Sequence, residues 1–540
     1  MRRLTFAFVV IGVVLRGWQY LAQVSLWLDE IALARNILDL PLVDLLTKPL
    51  LYGQSAPRGF LLVEKLSTLA FGSGELALRL FPQLAGIAAL VGFWRVSLRV
   101  LTGVGPAVAV AIFALAQQLV WFSSQVKQYS SDVAVAVLLL GLTLDLLSPE
   151  VSRRRVWGTA LAGAVAAWFS HAALIVLTSL GAYLLWRRVR GRGLAPAALA
   201  PVLTLWGGSV LVAALTGLAS VTPETREYLK EFWAAGLLPS SFAEAARSLW
   251  PLGSYLWAFV LLLISPAAPV YAVFGIVGLW GLCRRRPDEA AVLLAPVAGA
   301  LLAAVARQYP FNGRLILYLL PTFLIGTAEC IERIRLRLVP RLGRGSYAVV
   351  VFFVAAGVAP VFVKPPAYRL EDMKTALTAF KDRYRGGDRV YVYYGAAPGY
   401  AHYAPRYGLR IGDAAIGGCH RGDARAYLEE VDTMRGQPRV WVVFAHTNDG
   451  EDRDIARYLS AIGSERDTVV VRSRVLGWDS PVEIRLYDLS DPVRLRTASA
   501  ASFPVTSRGR GRSLTFSHLG CGRGPITIVP PTVALARSTP

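Results

Sequence analysis

Asp29 and Glu30 stand side by side in Trp27-Leu28-Asp29-Glu30, just past the first long apolar run of the chain. Adjacent carboxylates at a membrane surface suit an enzyme acting on a lipid-borne substrate. One accepts a proton from an incoming hydroxyl while its neighbour holds a partner or raises its pKa. The same pair also suits the first turn of a helix, where acidic side chains complement unpaired N–H groups and the helix dipole. The residues alone leave both uses open. Tyr52-Gly53-Gln54-Ser55-Ala56-Pro57-Arg58-Gly59 has the composition of a tight turn presenting a guanidinium and backbone N–H groups to an anion, or of an ordinary turn ahead of a helix. Gln125-Val126-Lys127-Gln128-Tyr129-Ser130-Ser131-Asp132 puts a Lys and an Asp at the end of an apolar run, where a charge must snorkel or line a polar cavity. Snorkelling accounts for Lys127 but not for the deeper Asp132. Arg307 and Arg314 bound a short turn between two further apolar runs. His171 reads as an interface residue, and His402, His420, His446 and His518 have no ligand spacing. There is no GxSxG, Walker loop, HExxH or paired-Cys zinc pattern, which argues against hydrolase, ATPase and metalloprotease chemistry. Asp29, Glu30 and Asp132 could share a divalent metal, but no pattern requires one.

The elements that must position these groups are membrane helices. The 540 residues carry 57 Lys and Arg against 36 Asp and Glu, a net charge of +21. Such an excess suggests phosphate partners such as nucleic acid. With 54% hydrophobic and 17% charged residues, however, the chain is neither a soluble nucleic-acid binder nor disordered. Eleven apolar runs approach the ~20 residues that span a bilayer. They fall at about 5–24, 77–94, 104–122, 130–147, 156–169, 172–186, 197–218, 256–282, 289–306, 314–331 and 346–363. No small-residue cleavage site follows the first, so it reads as a retained helix rather than a signal peptide. Residues 156–186 form either a short hairpin or one long helix. With a cytoplasmic N-terminus, alternate turns collect nineteen Arg and no Lys, including Arg153–Arg155, Arg187–Arg192, Arg284–Arg286 and Arg333–Arg344. The positive-inside rule then favours the hairpin, because a single helix would put the Arg187–Arg192 cluster outside.

The expected fold is thus a polytopic all-α membrane domain over 1–363, with a long outer loop at 24–76 that carries two amphipathic stretches, Asp29–Asp39 and Gly59–Ala70, followed by an extracytoplasmic α/β domain over 364–490. A second outer loop near 219–252 carries a helix pattern at Thr225–Trp233. In the α/β domain, helices are expected at Glu371–Tyr384, Asp423–Met434 and Glu451–Ile462. Strands are expected at Arg389–Tyr394, Arg439–Phe444, 468–475 and 482–488. Ser, Thr, Gly, Arg and Pro dominate 491–540, where order is not expected. Cys419 and Cys521 both fall outside, where oxidation is permitted, and are a candidate disulfide; Cys283 and Cys330 fall at the cytoplasmic face and are expected reduced.

In order and content these segments resemble the GT-C glycosyltransferases that use lipid-phosphate sugars, in particular the bacterial branch related to protein O-mannosyltransferases and the aminoarabinose transferase of lipid A. The resemblance rests on Trp27-Leu28-Asp29-Glu30, on QSAPRGFLLVEKLSTLAFGSGELALRLFPQLAG over 54–86, on VKQYSSD over 126–132 and on YPFNGRLILYLLP over 309–321. It covers about residues 1–365. It implies that Asp29 is the base that deprotonates an acceptor, with Glu30 as its neighbour. It also implies that Arg58, Lys127 and Arg314 contact a donor phosphate, supported by Tyr52, Tyr129, Asp132 and Arg307. The chemistry agrees, because a prenyl phosphate is an acidic leaving group and needs no general acid. A glycosidase, whose leaving group is an alkoxide, calls for two carboxylates. One base and a few cations to stabilise charge on the departing phosphate are enough. One departure stands out: the relatives' Lys-Pro-Pro or His-Pro-Pro turn is Ser55-Ala56-Pro57 here, which leaves Arg58 as the candidate replacement cation. The resemblance further implies inversion at the anomeric carbon, outside the plasma (inner) membrane. The implied partners are a polyprenyl-phosphate-linked sugar, a protein, lipid or envelope-glycan acceptor, and the bilayer. The alternative is a lipid-linked sugar translocator or a non-catalytic polytopic protein. A translocator calls for inverted repeats and broken midplane helices, whereas the charges here cluster at one face.

Overall fold

A computed structural model describes residues 2–237 and 268–507, apart from the single positions 149, 422, 449, 476 and 478. Each of the eleven apolar runs is mainly helical in its described part. Among the described residues, seven segments are long and apolar enough to cross a membrane: Arg2–Leu21, Glu75–Val100, Tyr129–Leu146, Ala172–Val189, Pro196–Ala219, Pro287–Val305 and Gly313–Val363. The last contains two of the expected runs. The protein is a multi-pass membrane protein. The run at 104–122 divides into Gly105–Leu115 and Gln117–Phe122, because Ala116 between them adopts a non-helical ψ of 117°. The run at 256–282 is described only from Ala268, as the Ala268–Arg285 helix.

Residues 156–186 form two helices, Arg153–Ala166 and Ala172–Val189, as the charge rule favours. The break is chemical. Ser170 Oγ accepts from Ala173 N–H at 3.0 Å, capping the second helix, and donates to Asp132 at 2.6 Å. The same turn meets the Pro-rich segment, where Gly59 N–H donates to Trp168 O at 2.8 Å. A Cβ on Gly59 would lie 2.7 Å from that oxygen, so the close approach requires glycine.

The 24–76 loop folds into Leu28–Asp39, Leu42–Thr47 and Arg58–Phe71, the first and last matching its two amphipathic stretches. Beyond the membrane helices lies a mixed five-stranded sheet of β1 (Arg389–Val392), β2 (Ala414–Ile416), β3 (Val440–Phe444), β4 (Ser464–Val471) and β5 (Val482–Asp488). Its order is β2-β1-β3-β5-β4. β1 runs parallel to β2 and β3, and β5 antiparallel to β3 and β4. All five residues of β3 are buried, as its unbroken apolar sequence requires of a central strand. β4 begins four residues earlier than expected and has an irregularity between Glu465 and Asp467. β2 and the Ala397–Tyr403 helix are additional; three and seven residues carry too short a period to be read from sequence. Helices Met373–Lys381, Ala424–Asp432 and Glu451–Ile462 stand where expected, the first two capped by Asp372 and Asp423. Residues 491–507 pack on this region through Asp454, which accepts from Thr506 N–H and Ser507 N–H. Cys283 and Cys330 are free thiols and Cys419 is disulfide-bonded; its expected partner Cys521 lies outside the described residues, with His518.

The α/β region grips the segment that carries Asp29. Ser25 Oγ donates to Asp372 at 2.6 Å, Leu26 N–H to Tyr403 Oη at 2.7 Å and Leu28 N–H to Glu371 at 3.2 Å. Just before them, Gln19 accepts from Ala367 N–H and Tyr368 N–H at 2.9 and 2.7 Å.

Candidate active site

The two adjacent carboxylates separate at the first turn of Leu28–Asp39. Glu30 turns inward and is 2% exposed, as is its partner Arg79. It receives Arg79 Nε at 3.1 Å and Nη2 at 2.9 Å, together with Val126 N–H at 2.9 Å and Trp27 N–H at 3.5 Å. The last contact is the glutamate half of a capping box, so the helix-capping use open to the sequence falls to Glu30. The bond from Val126 fixes the 123–128 turn and places Lys127. Glu30 is therefore buried in structure and does not face the cavity, contrary to its expected place beside the base.

Asp29 faces the other way. Its Oδ1 meets Lys127 Nζ at 3.1 Å and its Oδ2 meets Arg314 Nη2 at 2.7 Å. Lys127 also donates to Gln54 Oε1 at 2.5 Å. The Arg314 guanidinium lies 5.5 Å from the ring centres of Trp27 and Tyr129 and 5.6 Å from that of Trp233, a set of π faces that favours a cation there. Burial pushes the Lys127 ammonium below its usual pKa; Asp29 opposes the shift and Arg314 adds to it. These groups open onto a cavity of about 570 Å³ that is also lined by Gln54, His171, Arg226, Tyr228, Lys230 and Arg307. Burial holds His171 down at about 4, so it is neutral near pH 7.

Of the expected site residues, Asp29, Lys127, Tyr129, Arg307 and Arg314 come together at this cavity. Arg58 does not: its Nη1 donates to Leu45 O at 2.9 Å and Lys48 O at 3.4 Å, at the C-terminal end of Leu42–Thr47. It ties down a helix end and does not replace the cation missing from the Pro-rich turn. Tyr52 lies outside the cavity, under the Arg35 guanidinium at 5.8 Å, with φ of +60°. Asp132 is spent on Ser170. Asp29, Glu30 and Asp132 thus point to three different places and do not form a shared metal site; among the described residues no three His, Cys, Asp or Glu converge on one. The residues missed by sequence are Gln54, Arg226, Tyr228, Lys230 and Trp233. A partial signal existed for Arg226 and Lys230, which are four apart in the expected 225–233 helix and so share a face.

Three solved structures align with most of this chain. ArnT from Cupriavidus metallidurans in the apo state is 12% identical with a TM-score of 0.44, over 89% of this chain and 97% of that one. The archaeal oligosaccharyltransferase AglB from Archaeoglobus fulgidus, in complex with an inhibitory peptide and a dolichol-phosphate, is 12% identical with a TM-score of 0.45, over 85% and 72%. The arabinofuranosyltransferase AftD from mycobacteria is 15% identical with a TM-score of 0.43, over 91% of this chain and 42% of that one. All three are GT-C glycosyltransferases. No protein-family model matches the chain, and no curated protein matches it.

Proposed function

We propose that this protein is an inverting GT-C glycosyltransferase that moves a sugar from a polyprenyl-phosphate carrier to an acceptor outside the cytoplasm. The observation that carries this reading is Asp29, a carboxylate set between Lys127 and Arg314 on the wall of a cavity of about 570 Å³ in a multi-pass membrane protein. Asp29 takes the proton of the acceptor group as that group attacks the anomeric carbon. The bond from that carbon to the phosphate oxygen breaks on the opposite face, and its electron pair stays on the phosphate. No acid is needed for such a leaving group, whereas cations that meet its growing charge lower the barrier. Lys127 and Arg314 fit that role because they already converge on the reacting space. A donor phosphate competes with Asp29 for them, and the cations it draws away leave the carboxylate to the acceptor's proton. Tyr129 and Arg307 support the same wall.

The Arg bias supports a cytoplasmic N-terminus and an α/β region outside the cytoplasm, with the plasma (inner) membrane as the proposed location. A disulfide at Cys419 together with free thiols at Cys283 and Cys330 supports the same orientation. The test is reconstitution of the purified protein in liposomes with radiolabelled polyprenyl-phosphate sugars and envelope extracts as acceptor. Transfer with inversion, read by NMR of the product, is expected from the wild type and not from Asp29→Asn. Wild-type transfer by a folded Asp29→Asn protein removes the assignment.

A further inference from the structure

The cavity holds more positive charge than one prenyl phosphate uses. Its lining contains five cations, Lys127, Arg226, Lys230, Arg307 and Arg314, against one carboxylate, Asp29, a net of +4 among the described residues. A prenyl-phosphate sugar is a phosphodiester with a single negative charge, and the phosphate it leaves behind carries about two. Lys127 and Arg314 are already committed to Asp29.

The other three cations have no carboxylate partner among the described residues. Among the described residues Arg226 gives one N–H to Leu218 O at 3.2 Å, and no carboxylate pairs with Arg226, Lys230 or Arg307. Arg226 and Lys230 sit one turn apart on Pro223–Phe232, where like charges repel. Arg307 reaches the same space from the turn after Pro287–Val305, with its own φ at +56°. These two segments are joined: Phe311 N–H donates to Gly236 O at 2.7 Å. Three cations with no carboxylate partner among the described residues are thus held around one space by two tied segments, where an entering anion can meet all three.

We propose that Arg226, Lys230 and Arg307 form a second anion subsite, which binds a phosphate-type group other than the one that meets Lys127 and Arg314. The identity of that first phosphate rests on the transferase reading; the second subsite stands on the cavity's charge. Two sources share this chemistry: the outer phosphate of a prenyl diphosphate carrier, and an anionic group on the acceptor.

Binding to the full-length protein in nanodiscs tests it, with undecaprenyl phosphate, undecaprenyl diphosphate and inorganic phosphate as probes at one fixed salt concentration. The variant is the triple Arg226→Gln, Lys230→Gln, Arg307→Gln, at three exposed positions. Its unfolding temperature is checked, and the single Lys230→Gln serves if the triple is unstable. If the wild type binds the diphosphate at least about tenfold tighter than the monophosphate and the variant loses that advantage, the subsite stands and the carrier fills it. If both lipids bind alike, yet inorganic phosphate still binds at saturating undecaprenyl phosphate and the variant loses this, the subsite stands and the acceptor fills it. Equal lipid affinities with no phosphate binding, or any binding advantage that survives in the variant, overturn the proposal. Failure of undecaprenyl phosphate to bind at all counts against the transferase reading, while the inorganic phosphate measurement still decides the subsite.

Discussion

Replacing each of the two adjacent carboxylates by its amide separates structure from chemistry. Glu30 and Arg79 are both 2% exposed, and the carboxylate takes Arg79 through two nitrogens. Removing one partner of such a pair leaves a buried charge uncompensated, at a cost of about 3–5 kcal/mol. Glu30→Gln keeps one acceptor oxygen, and Arg79 keeps Val24 O at 2.7 Å, so the low end applies, about 3 kcal/mol. At an unfolding entropy of about 2.1 cal/mol/K per residue, that lowers the midpoint of a chain this long by roughly 3 °C. Asp29 is 21% exposed, and Lys127 and Arg314 each have a second neighbour in Gln54 and Tyr129. Asp29→Asn should therefore shift the midpoint by less than about 1 °C while lowering kcat by roughly 10²–10⁴ through loss of the base. The assay is thermal unfolding in detergent alongside sugar transfer in liposomes, for both variants. A Glu30→Gln protein as stable as the wild type but inactive, or an unstable Asp29→Asn protein with wild-type kcat, refutes the division of labour.

Three other outcomes follow from the same contacts. Lys127→Gln should lower kcat by about 10²-fold and raise KM for the donor, because it removes a cation from the developing phosphate; an unchanged kcat would exclude Lys127 from that role. Arg58→Gln should leave donor KM unchanged and cost about 1 kcal/mol of stability, for the lost bonds to the Leu45 and Lys48 carbonyls; a tenfold rise in KM would return Arg58 to the phosphate site. His446 is drawn down by burial, but the charge and hydrogen bond of Glu371 at 2.7 Å outweigh this and hold its pKa above the ordinary value. The folded state therefore binds the extra proton more tightly, a stabilisation complete below about pH 6.5 and lost as pH rises through the raised value. His446→Asn should thus cost more stability near pH 5.5 than near pH 9, as read by unfolding temperature; equal losses at both would show that the pair carries no proton linkage.

The sequence by itself determined the membrane helices, the amphipathic loop segments and most of the α/β elements, because hydropathy and its period are local. It also placed Asp29, Lys127 and Arg314 among the few residues able to do chemistry, since charged groups at the ends of apolar runs are costly wherever they have no use. Choosing between neighbours was another matter. Whether Asp29 or Glu30 faced the cavity depended on Arg79, 49 residues away, which claims Glu30, and on Lys127, 98 residues from Asp29. Arg58 and Asp132 looked equally suited to a site, and were lost to it only because a helix end and Ser170 lay nearer. Arg226 and Lys230 gained a place there because their loop folds back onto the turn at 307–314. Residue type and spacing thus named the groups that could react, but a charge takes the nearest partner in space, and only the tertiary structure decided which partner that was.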